Sequence, residues 1–152
     1  GRAGRNSITG KVVVQTYDPT NLALMYAQNH DYEGFFKYES VQRKILCNPP
    51  FCQLVKLLIQ GPVLSKCKIL AEKIENNLLK IAREENFTED LEITAYPAYI
   101  TRLRNKFRYI VLIKNKAIKE KPDIIHEILE KLPKEYIMDK NVIIDVDPIS
   151  TI

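Results

Sequence analysis

Between Tyr96 and Lys121 the chain reads Y-P-A-Y-I-T-R-L-R-N-K-F-R-Y-I-V-L-I-K-N-K-A-I-K-E-K, and Phe107–Lys114 within it has the clearest strand character in the protein. An extended chain here sends Phe107, Tyr109, Val111 and Ile113 to one side, which reads as a core. It sends Arg102, Arg104, Lys106 and Arg108 together to the other, at spacings of roughly 6.6 Å. Residues 102–121 hold eight of the chain's 23 Lys/Arg and a single carboxylate, Glu120, a net of +7. The remaining 132 residues carry 15 basic and 18 acidic side chains, a net of −3. The whole-chain charge of +4 is therefore made by one block. Clustered positive charge favours an anionic partner; a solvated loop with a Lys-rich rim is the alternative reading of the same residues.

On either side of this strand the pattern is regular. Cys52–Gln60 reads as a strand ended by Gly61-Pro62. Ser65–Asn86 reads as a long amphipathic helix, with Cys67, Leu70, Ala71, Ile74, Leu78, Ile81 and Ala82 on one face. Leu91–Ala95 alternates as a short strand. After the basic block, Pro122 opens a helix whose apolar face is Ile124, Ile125, Ile128, Leu129 and Leu132, and Pro133 closes it. Asn141–Asp147 alternates as a last strand. The order β-α-β-β-α-β predicts an α+β, ferredoxin-like split β-α-β fold, two helices covering one face of an antiparallel sheet. The basic block is then the loop between the second and third strands, together with the strand that follows.

Towards the N-terminus, Lys11–Tyr17 predicts a short buried strand. Asp18-Pro19-Thr20-Asn21 is turn chemistry ending in an N-cap for a helix over Leu22–Gln28. Asp31 caps a second helix reaching about Leu46, with Glu39 and Arg43 in the favourable order for an exposed ion pair. Asn48-Pro49-Pro50 marks a boundary. With 152 residues the chain accommodates one domain with an appendage. The opening Gly1-Arg2-Ala3-Gly4-Arg5, which has no initiator Met, reads as internal to a longer protein.

Several chemistries are disfavoured. No apolar run approaches the ~18 residues that span a bilayer. Cys47, Cys52 and Cys67 lack metal-ligand spacing and read as buried free thiols, which fits a reducing cytoplasm. His30 and His126 have no ligand-spaced companions. Asp145 and Asp147 share a strand face, but with no acid–base partner nearby they read as strand-end charges balancing Lys or Arg. No Gly-rich phosphate loop is present. Lys106–Ile113 lacks the glycines of the RNA-recognition strand.

G-R-A-G-R (1–5) resembles the end of the last motif of superfamily-two helicases, Q-x-x-G-R-x-G-R, with Arg2 and Arg5 at its two arginine positions. In those enzymes such arginines reach the γ-phosphate of ATP from the second motor lobe. G-K-V-V-V-Q-T-Y-D-P (10–19), H-D-Y-E-G-F-F-K-Y-E (30–39), N-P-P-F (48–51), T-R-L-R-N-K-F-R-Y (101–109) and I-D-V-D-P-I-S (144–150) follow in order. Together these pieces resemble the C-terminal part of the primosomal replication-restart helicases, the primosomal protein N′ family, over essentially the whole chain.

The resemblance implies a piece of a bacterial 3′→5′ DNA helicase that recognises abandoned forks and starts primosome assembly. It implies the end of the second motor lobe at residues 1–18, a helical connector at 19–48, and a ferredoxin-like DNA-binding domain at 49–152. The family's nucleotide motifs and zinc-binding cysteines lie upstream. ATP, Mg and zinc are therefore expected of the full-length protein only, with no cofactor, metal or catalytic residue in this chain. Arg2 and Arg5 are the nucleotide-contacting candidates of that parent. The DNA candidates are Arg102, Arg104, Lys106 and Arg108 on phosphates, Lys114 and Lys116 extending the track, and Tyr99 stacking on an unpaired base. Relatives also dock the acidic tail of single-stranded DNA-binding protein. Lys119 and Lys121 are the cations placed to do so here, and a module for that tail, or a domain that only braces the motor lobe, is the alternative function.

Overall fold

The computed structural model describes residues 12–149; Arg2, Arg5, Lys11 and Ser150 lie outside them. The chain divides into two compact units, one ending at Gln42 and one beginning at Arg43.

In the first unit, α1 (Leu22–Gln28) and α2 (Tyr32–Ile45, its last turn past the unit boundary) start where local chemistry favours it. The Asn21 side chain accepts the Ala23 N–H at 3.0 Å, and Asp31 Oδ1 accepts the Gly34 N–H at 2.8 Å. Each satisfies a first-turn donor that the helix itself leaves unpaired. The Tyr26 ring packs against Phe35 and Tyr38, centroids 6.1 and 6.2 Å away. No residue of either helix is buried. The strand expected over Lys11–Tyr17 is not formed in its described part, where Val12, Val13, Val14 and Tyr17 are exposed. A β-branched run becomes a strand only where another strand supplies its backbone hydrogen bonds, and none among the described residues does.

The second unit is the split β-α-β fold: β1 (Gln53–Gly61), α3 (Leu64–Glu84), β2 (Leu91–Leu103), β3 (Lys106–Asn115), α4 (Ile124–Lys131), a short α5 (Lys134–Ile137) and β4 (Val142–Val146). The strands form one antiparallel sheet in the order β2-β3-β1-β4. The α5 turn is an element the sequence pattern does not mark.

The sheet has two different faces. Val55, Leu57 and Ile59 of β1, Ile93 of β2, Val111 and Ile113 of β3 and Val142 of β4 meet Ala71, Ile74 and Leu78 of α3 and Ile124, Ile125 and Ile128 of α4 in one buried cluster. Burying each such large aliphatic side chain contributes about 1.5–3 kcal/mol, and together they hold the helices on this face. The opposite face, by strand alternation and register, carries Leu54, Lys56 and Leu58 of β1, Lys106, Arg108, Ile110, Leu112 and Lys114 of β3, and Ile143 and Asp145 of β4. Leu54 and Ile110 are buried there, outside the helix-side cluster. Lys56 Nζ meets Asp145 Oδ2 at 3.2 Å across adjacent strands, so Asp145 balances a lysine. Asp147 lies past the end of β4 with φ 50, and the two aspartates do not share a strand face as expected.

Candidate nucleic-acid interface

The largest departure from expectation falls in the basic block. β2 does not stop at Ala95 but runs to Leu103, and the expected loop shrinks to two residues, Arg104 and Asn105. Both are left-handed, with φ 50 and 62, which is the twist of a two-residue hairpin of type I′. Leu103 pairs with Lys106 and Arg102 with Phe107. Pro97 is tolerated because β2 is an edge strand. The outward N–H of Ala95 on this edge donates to Glu75 Oε1 of α3 at 2.7 Å, which satisfies a ladder donor with no neighbouring strand.

The hairpin rearranges the row of cations. Arg102, Arg104, Lys106 and Arg108 do not line one side of an extended strand, because the chain reverses at Arg104. Residues paired across an antiparallel ladder share a face, so Arg102 stands with Phe107. Its guanidinium carbon lies 5.3 Å from the ring centroid, and its Nη2 reaches Asn105 Oδ1 at 3.4 Å. Lys106 and Arg108 point to the opposite face, and Arg104 sits at the tip. The four still form one group around the corner. From Ile93 to Lys119 the chain has no carboxylate, and among the described residues none of the four makes an ion pair.

The other end of the block is different in kind. Lys106 and Asn115 terminate β3, so its ends stand roughly 30 Å apart at about 3.4 Å per residue. Lys116, Lys119 and Lys121 therefore belong to the far pole of the sheet. Lys121 pairs with Asp90 and lies over the Phe87 ring, 5.5 Å from its centroid. Lys114 faces Glu92 across the β2–β3 ladder. Lys116 and Lys119 are exposed. Asn115, fully buried, anchors the segment: its Nδ2 donates to Lys121 O at 2.8 Å and its Oδ1 accepts the Ala117 N–H at 2.9 Å. One block in sequence is thus two poles in space, the hairpin pole without acidic partners and the distal pole partly neutralised.

Tyr99 is 82% exposed and lies in an irregular stretch of β2, where residues 98–101 stand opposite Arg108 alone. Ile100 and Leu103 beside it are about half exposed. Neither of these two is among the residues that the sequence pattern singles out. The signal available is the absence of acidic residues combined with apolar side chains on what Pro97 marks as an edge strand.

Other chemistry is thinly represented. Cys47, Cys52 and Cys67 are free thiols, and burial pushes the Cys52 and Cys67 thiols up. Among the described residues no three His, Cys, Asp or Glu side chains are grouped to hold a metal ion, and no helix is long and apolar enough to cross a membrane. In the first unit two open hollows of about 420 and 430 Å³ lie against α1 and α2, one beside Asn21 and Tyr38 and one beside Tyr26 and His30; in the second unit a concavity beside the start of α3, walled by Ile59, Lys66, Cys67 and Asn141, offers only about 90 Å³. Small-molecule sites usually need at least about 300 Å³.

No family model matches the chain. It is 32% identical over 148 residues to replication restart protein PriA of Bacillus subtilis, covering 97% of this chain and 18% of that protein. It is 30% identical over 153 residues to replication restart protein PriA of Synechocystis, covering 99% of this chain and 17% of that one. A shorter match to replication restart protein PriA of Treponema pallidum is 40% identical over 68 residues, 45% of this chain and 10% of the relative. The chain thus spans less than a fifth of the length of these curated relatives. Among solved structures, a de novo designed protein with a ferredoxin fold aligns at TM-score 0.40 and 15% identity, covering 67% of this chain and 90% of the design.

Proposed function

This chain belongs to the PriA family of replication restart proteins, and on that premise we propose that it is the DNA-binding C-terminal part of a 3′→5′ replication-restart helicase. It helps the parent enzyme hold branched or single-stranded DNA at stalled forks while other primosome proteins assemble in the bacterial cytoplasm. Residues 1–18 close the second motor lobe, 19–48 connect it, and 49–152 bind DNA. ATP hydrolysis and unwinding belong to the whole helicase, where Arg2 and Arg5 would reach the nucleotide, and zinc belongs to its upstream part.

The observation that carries this reading is the hairpin pole, where Arg102, Arg104, Lys106 and Arg108 gather and, among the described residues, make no ion pair. A polyanion supplies the missing counter-charge, and phosphates do so without demanding a sequence. Four phosphate contacts give a log–log salt slope of roughly −3 to −4 through counterion release. Titrating a fork oligonucleotide at several salt concentrations tests the reading. Arg104→Ala should flatten the slope by about 1, and an unchanged affinity at every salt concentration removes the hairpin from the interface.

The distal pole supports a second role, docking of an acidic peptide tail such as that of single-stranded DNA-binding protein. Lys119 and Lys116 are available to it, while Lys121 is already engaged by Asp90. Charge reversal separates the two roles. Arg104→Glu should impair fork binding and spare peptide binding, and Lys119→Glu should do the opposite. If neither variant changes either titration, the domain serves to brace the motor lobe.

A further inference from the structure

Two of the three thiols lie together in the turn Cys47-Asn48-Pro49-Pro50-Phe51-Cys52, between the end of α2 and the start of β1. The turn is folded tightly on itself. The Asn48 N–H donates to Arg43 O at 2.7 Å and the Phe51 N–H to Asn48 O at 2.9 Å, while Arg43 Nη1 donates to Pro49 O at 3.0 Å. Cys47 is left-handed, with φ 48, a conformation that residues other than glycine seldom adopt. Its thiol donates to Phe51 O at 3.9 Å, the carbonyl bonded directly to the Cys52 nitrogen. The Cys52 thiol is in turn hydrogen-bonded to that of Cys47. Cys67 stands apart, in the helix-side cluster with its thiol on Phe107 O.

The two neighbouring thiols differ in access. Cys47 is half-buried, whereas Cys52 is 2% exposed and outside the helix-side cluster. Gln53 pairs with Asn115 at the end of the β1–β3 ladder, so the thiol pair lies at the end of the sheet remote from the hairpin. Lys114, opposite Leu54, is the positive charge that favours a Cys52 thiolate there.

We propose that Cys47 and Cys52 are a modification site, a dithiol that a low-molecular-weight disulfide converts reversibly into an intramolecular disulfide. The Cys47 thiolate attacks one sulfur of the small disulfide. The bond between its two sulfurs breaks, Cys47 is left in a mixed disulfide, and the first small thiolate departs and takes up the proton that Cys47 gave up. Cys52, once deprotonated, attacks Cys47 Sγ, and the second small thiolate leaves with the Cys52 proton. Two protein thiols are oxidised by two electrons and one small disulfide is reduced to two thiols. The half-buried thiol takes the first step because a buried one is inert to a reagent in solution. The buried thiol takes the second because the folded turn already holds it against its partner. The site is independent of the cations at the hairpin.

The test equilibrates the whole 152-residue chain with glutathione and its disulfide at a series of ratios, folded and in urea. Thiols are then trapped by acid and alkylation, and the products are mapped by peptide mass. The folded chain should lose two hydrogens, with the link between Cys47 and Cys52 and Cys67 still alkylated. Its equilibrium constant for closing that link should exceed that of the urea-unfolded chain by about tenfold or more. Cys47→Ser should leave Cys52 reduced, and Cys52→Ser should stop at the mixed disulfide on Cys47. An equal or smaller constant in the folded chain overturns the proposal, since the turn then adds nothing to closeness in sequence. Glutathione retained on Cys47 of the folded wild-type chain at equilibrium, a link that includes Cys67, or three thiols reduced at every ratio each overturns it as well.

Discussion

Arg102 and Phe107 are register partners across the β2–β3 hairpin, and the guanidinium of one lies over the ring of the other at 5.3 Å. Phe107 in turn packs against the helix-side core and its carbonyl accepts from the Cys67 thiol at 3.7 Å. The cationic corner is therefore tied to the buried cluster through one aromatic side chain.

Phe107→Ala should lower stability to urea by about 2–3 kcal/mol, less than the full cost of a buried phenylalanine because the ring is only partly buried. It should also weaken DNA binding modestly while leaving the salt slope intact, since no charge is removed. A change in slope equal to that of Arg104→Ala would show that Phe107 does more than position Arg102.

Arg104 occupies a left-handed turn position that costs an L-residue about 1 kcal/mol, and asparagine tolerates it better. Arg104→Asn should therefore raise stability by about 0.5–1 kcal/mol while lowering fork affinity and flattening its salt dependence. Opposite signs in the two measurements would mark a turn residue kept for its charge. A variant that is both less stable and weaker in binding contradicts this.

Asn115→Ala removes both side-chain hydrogen bonds that hold residues 117 and 121. A cost of about 2–3 kcal/mol is expected for losing these buried bonds. Amide exchange should rise at Ala117 while the hairpin pole, at the other end of β3, keeps its fork affinity. Loss of fork binding in a folded Asn115→Ala chain would join the two poles into one site.

Burial, with a further contribution from Cys47, pushes the Cys52 thiol from 9.0 up to about 11. The folded chain then keeps this proton to higher pH than the unfolded chain. The stability it contributes is complete below about pH 9 and is lost as pH rises through about 11. Urea midpoints should fall across that window, and the fall should be smaller in Cys52→Ala. Thiol labelling at about pH 8, just below the ordinary thiol range, should reach half-buried Cys47 well before Cys52 or Cys67; simultaneous labelling of all three would contradict the burial assigned here.

Periodicity carries most of the second unit. The apolar stripe of α3, the Ile124–Leu132 face and the alternation of Val142–Val146 are local signals, and they place those elements to within a residue or two. The caps at Asn21 and Asp31 are legible for the same reason, since a side-chain oxygen and the N–H it satisfies are two or three residues apart. The N-terminal run Val12–Tyr17 misleads because strand formation depends on a partner elsewhere in the chain, which no window of sequence contains. The hairpin misleads in a related way. Arg-Asn lacks the Asn-Gly signature of a type I′ turn, and Pro97 looks like the end of β2 when it marks an edge.

By itself, the sequence determined the fold class, the helices other than α5 and the concentration of positive charge between Arg102 and Lys121, because each is written in neighbouring residues. Only the tertiary structure decided that this charge is divided. β3 is about 30 Å long, so it carries Lys114–Lys121 away from Arg102–Arg108, with Lys121 paired to Asp90 and Lys114 opposite Glu92. The turn at Arg104–Asn105 moves Arg102 onto the face of Phe107. Charge composition is a property of the chain, but counter-charge and spacing are properties of the sheet.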